Sequence, residues 1–136
     1  MSFTATARCV DGSLRHAVDV NGRHTMFTDE PEHLGGGDSA PTPHELLAAA
    51  LASCVSTMIM LYANRHGWTL DNVAVDVAYD SEPTPRRMTV TVHLPSGLTA
   101  EQIRRLERVA ATCPVRRSLE AGFSVVETVV ADAVRS

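Results

Sequence analysis

The sequence predicts an α+β fold, with antiparallel sheets packed around one long central helix. Three observations carry that prediction. A charge-free run from Leu46 to Ala63 follows a helix-start signal, runs of alternating apolar residues lie on both sides of it, and an Asn-Gly pair sits between two of those runs. The 136 residues suit a single domain spanning 1–136.

At the N-terminus, Leu14–Val20 and Arg23–Thr28 flank Asn21-Gly22, two residues that tolerate the positive φ of a tight hairpin turn. With Phe3–Val10 ahead of them, they predict a three-stranded antiparallel meander. Asp29 to Ala40 carries three consecutive glycines, one proline and several acids, and reads as a mobile polar loop. The long helix then starts sharply. Thr42 is placed to cap it, Pro43 suits the first helical position, and Glu45 completes a capping box.

The helical pattern continues to about His66 and stops at Gly67, a residue suited to a left-handed C-terminal position. Its length is then about 36 Å at ~1.5 Å per residue. It is apolar nearly all round, which demands burial on most sides. A chain this short would struggle to wrap it alone, so a second subunit is expected to help. The run approaches the length of a membrane span, but its serines, threonine and small alanines, and the sheet-forming segments around it, favour a buried central helix.

Beyond the helix, Val73, Val75, Val77 and Tyr79 alternate with polar or small residues, as do Val90, Val92 and Leu94. These predict two half-buried strands joined through Ser81–Pro85. Thr99 to Gln102 is a second capping box, opening a helix with Ile103, Leu106 and Ala110 on one face and Arg104, Arg105 and Arg108 on the other. Pro114–Ala121 reads as a short third helix ending at Gly122, and Phe123–Val130 as a last strand.

Composition narrows the chemistry. The net charge of −4 argues against a nucleic-acid partner, which normally calls for a basic excess. Every basic residue is arginine, so Schiff-base chemistry and lysine-dependent phosphate loops are excluded. The histidines show neither HxxxH nor pairing with a CxxC, so no metal site is expected, and no residue pattern calls for a cofactor. Three cysteines are too few for a secreted disulfide framework, and the N-terminus lacks a basic head followed by an apolar run. A cytoplasmic protein without a membrane partner is expected.

The cysteines remain. Cys54 lies mid-helix among Leu47, Ala50, Leu51, Met58 and Leu61, where burial would keep a thiol inert unless a cation is brought to it. Read locally, it is a packing residue. Cys113 precedes Pro114 at the expected N-cap of the third helix, where free N–H groups favour a thiolate; alternatively it is simply the residue at a helix break. Cys9, in the first strand, has no supporting context and reads as structural.

The run Thr42–Cys54 (TPHELLAAALASC) resembles the start of the central helix of the OsmC/Ohr family, and Thr112-Cys113-Pro114-Val115 is similar to that family's second cysteine motif. The order of elements matches over essentially the whole chain. The resemblance implies an OsmC-like fold, an intertwined homodimer with active sites at the subunit interface, and a thiol peroxidase acting on organic hydroperoxides or hydrogen peroxide. It further implies Cys54 as the attacking thiolate, Cys113 as its disulfide partner, and an external dithiol reductant, of lipoyl type in the organic-hydroperoxide members.

In that branch an N-terminal Arg activates the first cysteine and is held by a Glu ten residues before it. Here that position is His44, and Glu45 follows it. Ten steps return to within roughly 80° of Cys54 on a helix, whereas nine point to the opposite side. Glu45 therefore suits the capping box better than an Arg clamp, and His44 would not anchor a guanidinium as a carboxylate does. Arg15 and Arg23 are the leading candidates for the activating cation, with Arg8 behind them. These departures favour the broader OsmC-like group. The alternative function is a dimeric binding protein for an apolar small molecule, with non-catalytic cysteines, suggested by Met58-Ile59-Met60 and the absent carboxylate at position 44.

Overall fold

A computed structural model describes residues 1–131. The N-terminal meander forms as expected from β1 (Ala5–Cys9), β2 (His16–Val20) and β3 (His24–Thr28), antiparallel in the order β1-β2-β3. Asn21 and Gly22 both take positive φ, at 55° and 65°, so the turn has the backbone twist that matches its flanking strands. It sets Val20 opposite His24 and Val18 opposite Met26.

The glycine-rich loop is tied down rather than loose. Asp29, 3% exposed, accepts hydrogen bonds from the backbone N–H groups of Glu30, Gly37 and Ser39 and from the Ser39 hydroxyl. Those bonds hold its carboxyl down at about 2, with the Ser39 hydroxyl contributing most. A 3₁₀ turn at Glu32–Leu34 lies inside the loop. Gly36 passes so close to the Glu30 backbone that a Cβ there would collide with the Glu30 carbonyl. Local bonding of this kind leaves no trace in hydrophobic periodicity, which is why the loop reads as unstructured.

Helix α1 (Pro43–Arg65) begins on the expected capping box. The Glu45 N–H donates to Thr42 Oγ1 at 3.2 Å, and the Thr42 N–H donates back to Glu45 Oε1 at 3.0 Å. Leu51, Val55, Ile59 and Ala63, spaced four apart, form its one buried stripe. Strands β4 (Ala74–Asp80) and β5 (Arg87–His93) form an antiparallel hairpin, with Val75 opposite Val92 and Val77 opposite Val90. The hairpin packs on α1, as do α2 (Ala100–Ala111) and α3 (Pro114–Ala121). Leu106 of α2 and Leu70 complete the core.

One expected element does not form. Phe123–Val130 is not a strand within the chain, and its apolar side chains stand in solvent, Val126 at 90% exposure. A strand needs a neighbouring edge to bond its N–H and C=O groups, and no strand among the described residues pairs with this segment. Two further surfaces are similarly open. The meander makes no extensive contact with any other element, and only Thr28 of its strands is buried. On α1, Leu61 remains exposed away from the core stripe and Leu47 is exposed one turn before its first residue, although the helix is apolar and long enough by composition to span a bilayer.

Candidate active site

Cys54 lies one residue before Val55, so it sits at the margin of the buried α1 stripe, half-buried, on the side that leads towards Leu47 and Leu61. Cys113 is fully buried at the N-cap of α3. The packing of α3 against α1 closes the long sequence gap between them and brings the two thiols close enough for each to influence the other's proton. All three cysteines are free thiols, and Cys9 stays exposed on β1, far along the chain from this pair.

The start of α3 explains how the second sulfur is placed. Pro114 occupies the first helical position, where a missing N–H costs nothing and its fixed φ suits helix entry. The Cys113 carbonyl accepts the first intrahelical bond, from the Arg117 N–H at 3.1 Å. The Cys113 side chain caps no backbone donor.

The electrostatics of Cys54 follow from these neighbours. Burial pushes its thiol up from the ordinary value, and the contact with Cys113 pushes the same way; the Val115 N–H acts against them. Among the described residues, no guanidinium is among the groups acting on it. Within one chain these neighbours together favour the neutral thiol.

The other sequence-predicted residues lie apart from the sulfurs or are engaged elsewhere. Glu45 is held in the capping box, where the Thr42 bonds lower its carboxyl. His44, in the first turn of α1, places its ring 6.0 Å from the Tyr79 ring of β4. Arg15 donates from Nη1 to Ser39 Oγ at 2.6 Å and lays its guanidinium over the Phe27 ring at 4.2 Å. Arg23 is exposed beside the Asn21-Gly22 turn, its N–H bonded to the Val20 carbonyl at 3.1 Å.

Two participants escaped the sequence reading. The Val115 N–H is a backbone group and has no residue-type signature, although a Cys-Pro pair opening a helix does mark the next amide as its first available donor. Asp29, which ties the loop to Ser39 and so to Arg15, is one acid among several in its segment. Among the described residues, no three His, Cys, Asp or Glu gather as a metal ion would require. A separate apolar groove of 440 Å³ lies between α1, β5 and α2, lined by Val55, Ile59, Val92, Leu94, Ile103 and Leu106 among others, and neither cysteine lines it.

Comparison with known proteins places this geometry. A family model described as OsmC-like protein matches residues 35–128, a span that holds both cysteines. A crystal structure from Psychrobacter arcticus, described provisionally as an osmotic stress induced and detoxification response protein, is similar at 25% identity and a TM-score of 0.69. That match covers 86% of this chain and 87% of the other. An organic hydroperoxide resistance protein OsmC from Legionella pneumophila is also 25% identical, with a TM-score of 0.60 and coverage of 86% and 88%. An OsmC like protein from Mycoplasma pneumoniae shares the fold, with a TM-score of 0.70 at 19% identity over 88% of each chain. No curated protein sequence matches the chain.

Proposed function

The chain belongs to the OsmC-like family, and from that premise we propose that it is a thiol-dependent peroxidase that reduces organic hydroperoxides through Cys54 and Cys113. The observation that carries the reading is the closeness of those two thiols at the start of α3. The organic hydroperoxide resistance description of the Legionella relative supports it.

The chemistry balances as a two-thiol cycle. The Cys54 thiolate attacks a peroxide oxygen; an S–O bond forms, the O–O bond breaks, and the departing alkoxide takes up a proton to leave as alcohol. Cys54 is then a sulfenic acid. The Cys113 sulfur attacks it, the S–S bond forms, and the hydroxyl leaves as water with the Cys113 proton. An external dithiol, of lipoyl type in this reading, takes the disulfide back to two thiols and is itself oxidised to a disulfide.

The reading includes a homodimer. The open side of α1 next to Cys54, the two-sided meander and the unpaired Phe123–Val130 segment are three apolar surfaces that a second copy would cover together. The cation that no described residue of its own chain brings to Cys54 is then supplied across the interface, by Arg15 or Arg23 of the second copy, with His44 orienting it beside Tyr79. Free thiols suit a reducing cytoplasm.

The test is direct. Reduced protein receives one equivalent of an organic hydroperoxide, and its thiols are mapped by mass spectrometry. The expected result is rapid loss of two thiols as a Cys54–Cys113 bond, and a trappable sulfenic acid at Cys54 in Cys113→Ser. Persistence of both thiols while the peroxide survives defeats the reading. The apolar groove beside Ile59 would then favour the second reading, a carrier of an apolar small molecule with packing cysteines. An environment-sensitive apolar dye, displaced from wild type and retained poorly by Ile103→Arg, would test it.

A further inference from the structure

The β4–β5 hairpin, α3 and the buried stripe of α1 border a hollow of 950 Å³ that the two-thiol cycle does not use. Its floor is apolar, made by Leu51 of the α1 stripe with Met88 of β5 and Leu119 of α3, both packed against the core. Its rim is basic, formed by Arg86 and Arg87 where β5 begins and by Arg116 in the first turn of α3. Neither cysteine lines it, and it shares only Val90 and Arg116 with the apolar groove beside Ile103.

The charges around the hollow do not cancel. Arg116 donates from Nε to Glu120 Oε1 at 3.2 Å, which neutralises one of the three guanidiniums. Asp80 stands opposite Arg87 in the strand register, but among the described residues neither Arg86 nor Arg87 joins an ion pair. The excess extends beyond the rim. Residues 86–120 hold seven arginines against three glutamates, a surplus of four positive charges in a chain whose net charge is −4.

We propose that this hollow binds an apolar carboxylic acid, with its hydrocarbon body on Leu51, Met88 and Leu119 and its carboxylate on Arg86 and Arg87. The proposal goes beyond the peroxidase reading and does not depend on it, since neither sulfur takes part. An apolar floor alone attracts any apolar molecule, so the arginines decide the head group. A guanidinium presents a planar fork that meets a carboxylate through two parallel N–H···O bonds. With Glu120 closed on Arg116 and Asp80 opposite Arg87, the rim keeps a small positive surplus, which suits a single carboxylate better than a polyanion. The volume falls within the range of about 300–1,000 Å³ usual for small-molecule sites. Leu51 is only 4% exposed, so a slim chain reaches the floor and the face of a bilayer does not.

The test is an amide NMR titration of the full-length, ¹⁵N-labelled protein with decanoate, and with decanamide, which has the same chain and no charge. Decanoate should bind saturably and shift the Met88 and Leu119 amides, leaving those of Leu94 and Ile103 in the neighbouring groove unmoved. Decanamide should bind about tenfold more weakly, as loss of hydrogen bonds between charged groups implies. Added sodium chloride should weaken decanoate binding and leave decanamide binding unchanged. The double variant Arg86→Gln, Arg87→Gln, altered at two exposed positions, should bind decanoate about tenfold more weakly than wild type, level with decanamide. Equal affinity of the wild type for the two ligands overturns the proposal, and that comparison needs no variant. So does a response centred on Leu94 and Ile103, or undiminished decanoate binding by the folded double variant. Binding to vesicles of anionic phospholipid with no response to decanoate overturns it in favour of a membrane surface. None of these readouts uses a hydroperoxide, so failure of the peroxidase reading leaves them standing.

Discussion

Helix α1 offers two leucine-sized side chains with opposite surroundings, and comparing their truncation tests whether a second copy covers its open side. Ile59 is 0% exposed in the core, whereas Leu61 is 43% exposed on the uncovered side. Ile59→Ala deletes three carbons at about 0.8 kcal/mol each, roughly 2.4 kcal/mol, and an unfilled cavity raises the cost to about 3–4 kcal/mol. Leu61→Ala removes three carbons that the chain covers a little more than half, so folding of the isolated chain loses about 1.4 kcal/mol. If a second copy buries the rest, each subunit loses about 1 kcal/mol more. The dimer then weakens by about 2 kcal/mol, or roughly thirtyfold in dissociation constant. Sedimentation velocity over a concentration series, paired with urea unfolding at two protein concentrations, reads both effects. Ile59→Ala should lower the urea midpoint most at every concentration, and Leu61→Ala should lower it less while shifting the dissociation midpoint. A chain that stays monomeric at tens of micromolar (on the order of 10⁻⁵ M), or a Leu61→Ala dimer unchanged within about threefold, refutes the reasoning.

Further expectations concern the loop and the caps. Asp29 has its carboxyl lowered from the ordinary 3.8 to about 2, so its stabilising contribution is complete above 3.8 and is lost as pH falls through about 2. Urea midpoints should therefore drop between pH 4 and pH 2 in wild type and drop less in Asp29→Asn. Gly36→Ala drives a Cβ into the Glu30 carbonyl and should cost about 1–3 kcal/mol by thermal unfolding, with new proteolytic cleavage in the loop. Thr42→Ala removes the hydroxyl that accepts the Glu45 N–H and should cost about 1 kcal/mol, measured the same way.

The helices were legible because their starts are written in side chains. Thr42-Pro43 with Glu45, Thr99 with Gln102, and Pro114 each name a helix N-terminus, and each helix begins there. Asn21-Gly22 marked its hairpin for the same reason. Strand β5 begins at Arg87, ahead of the apolar alternation at Val90, because its pairing with β4 extends the ladder to Asp80 opposite Arg87. The cysteines were visible as a pair only through family resemblance; no local pattern predicts that α3 packs Cys113 against Cys54. The last strand failed for a different reason. Alternation in Phe123–Val130 reports a surface that wants covering, but not which chain covers it.

If a second copy brings a cation to Cys54, the position of that residue at the border between covered and open helix ties its proton to assembly. A thiol that becomes easier to ionise when two copies meet must, by reciprocity, make the copies hold tighter once ionised. Alkylating or oxidising that sulfur would then be felt as a change in how much protein is needed to stay assembled, and the association constant becomes a gauge of the state of one atom.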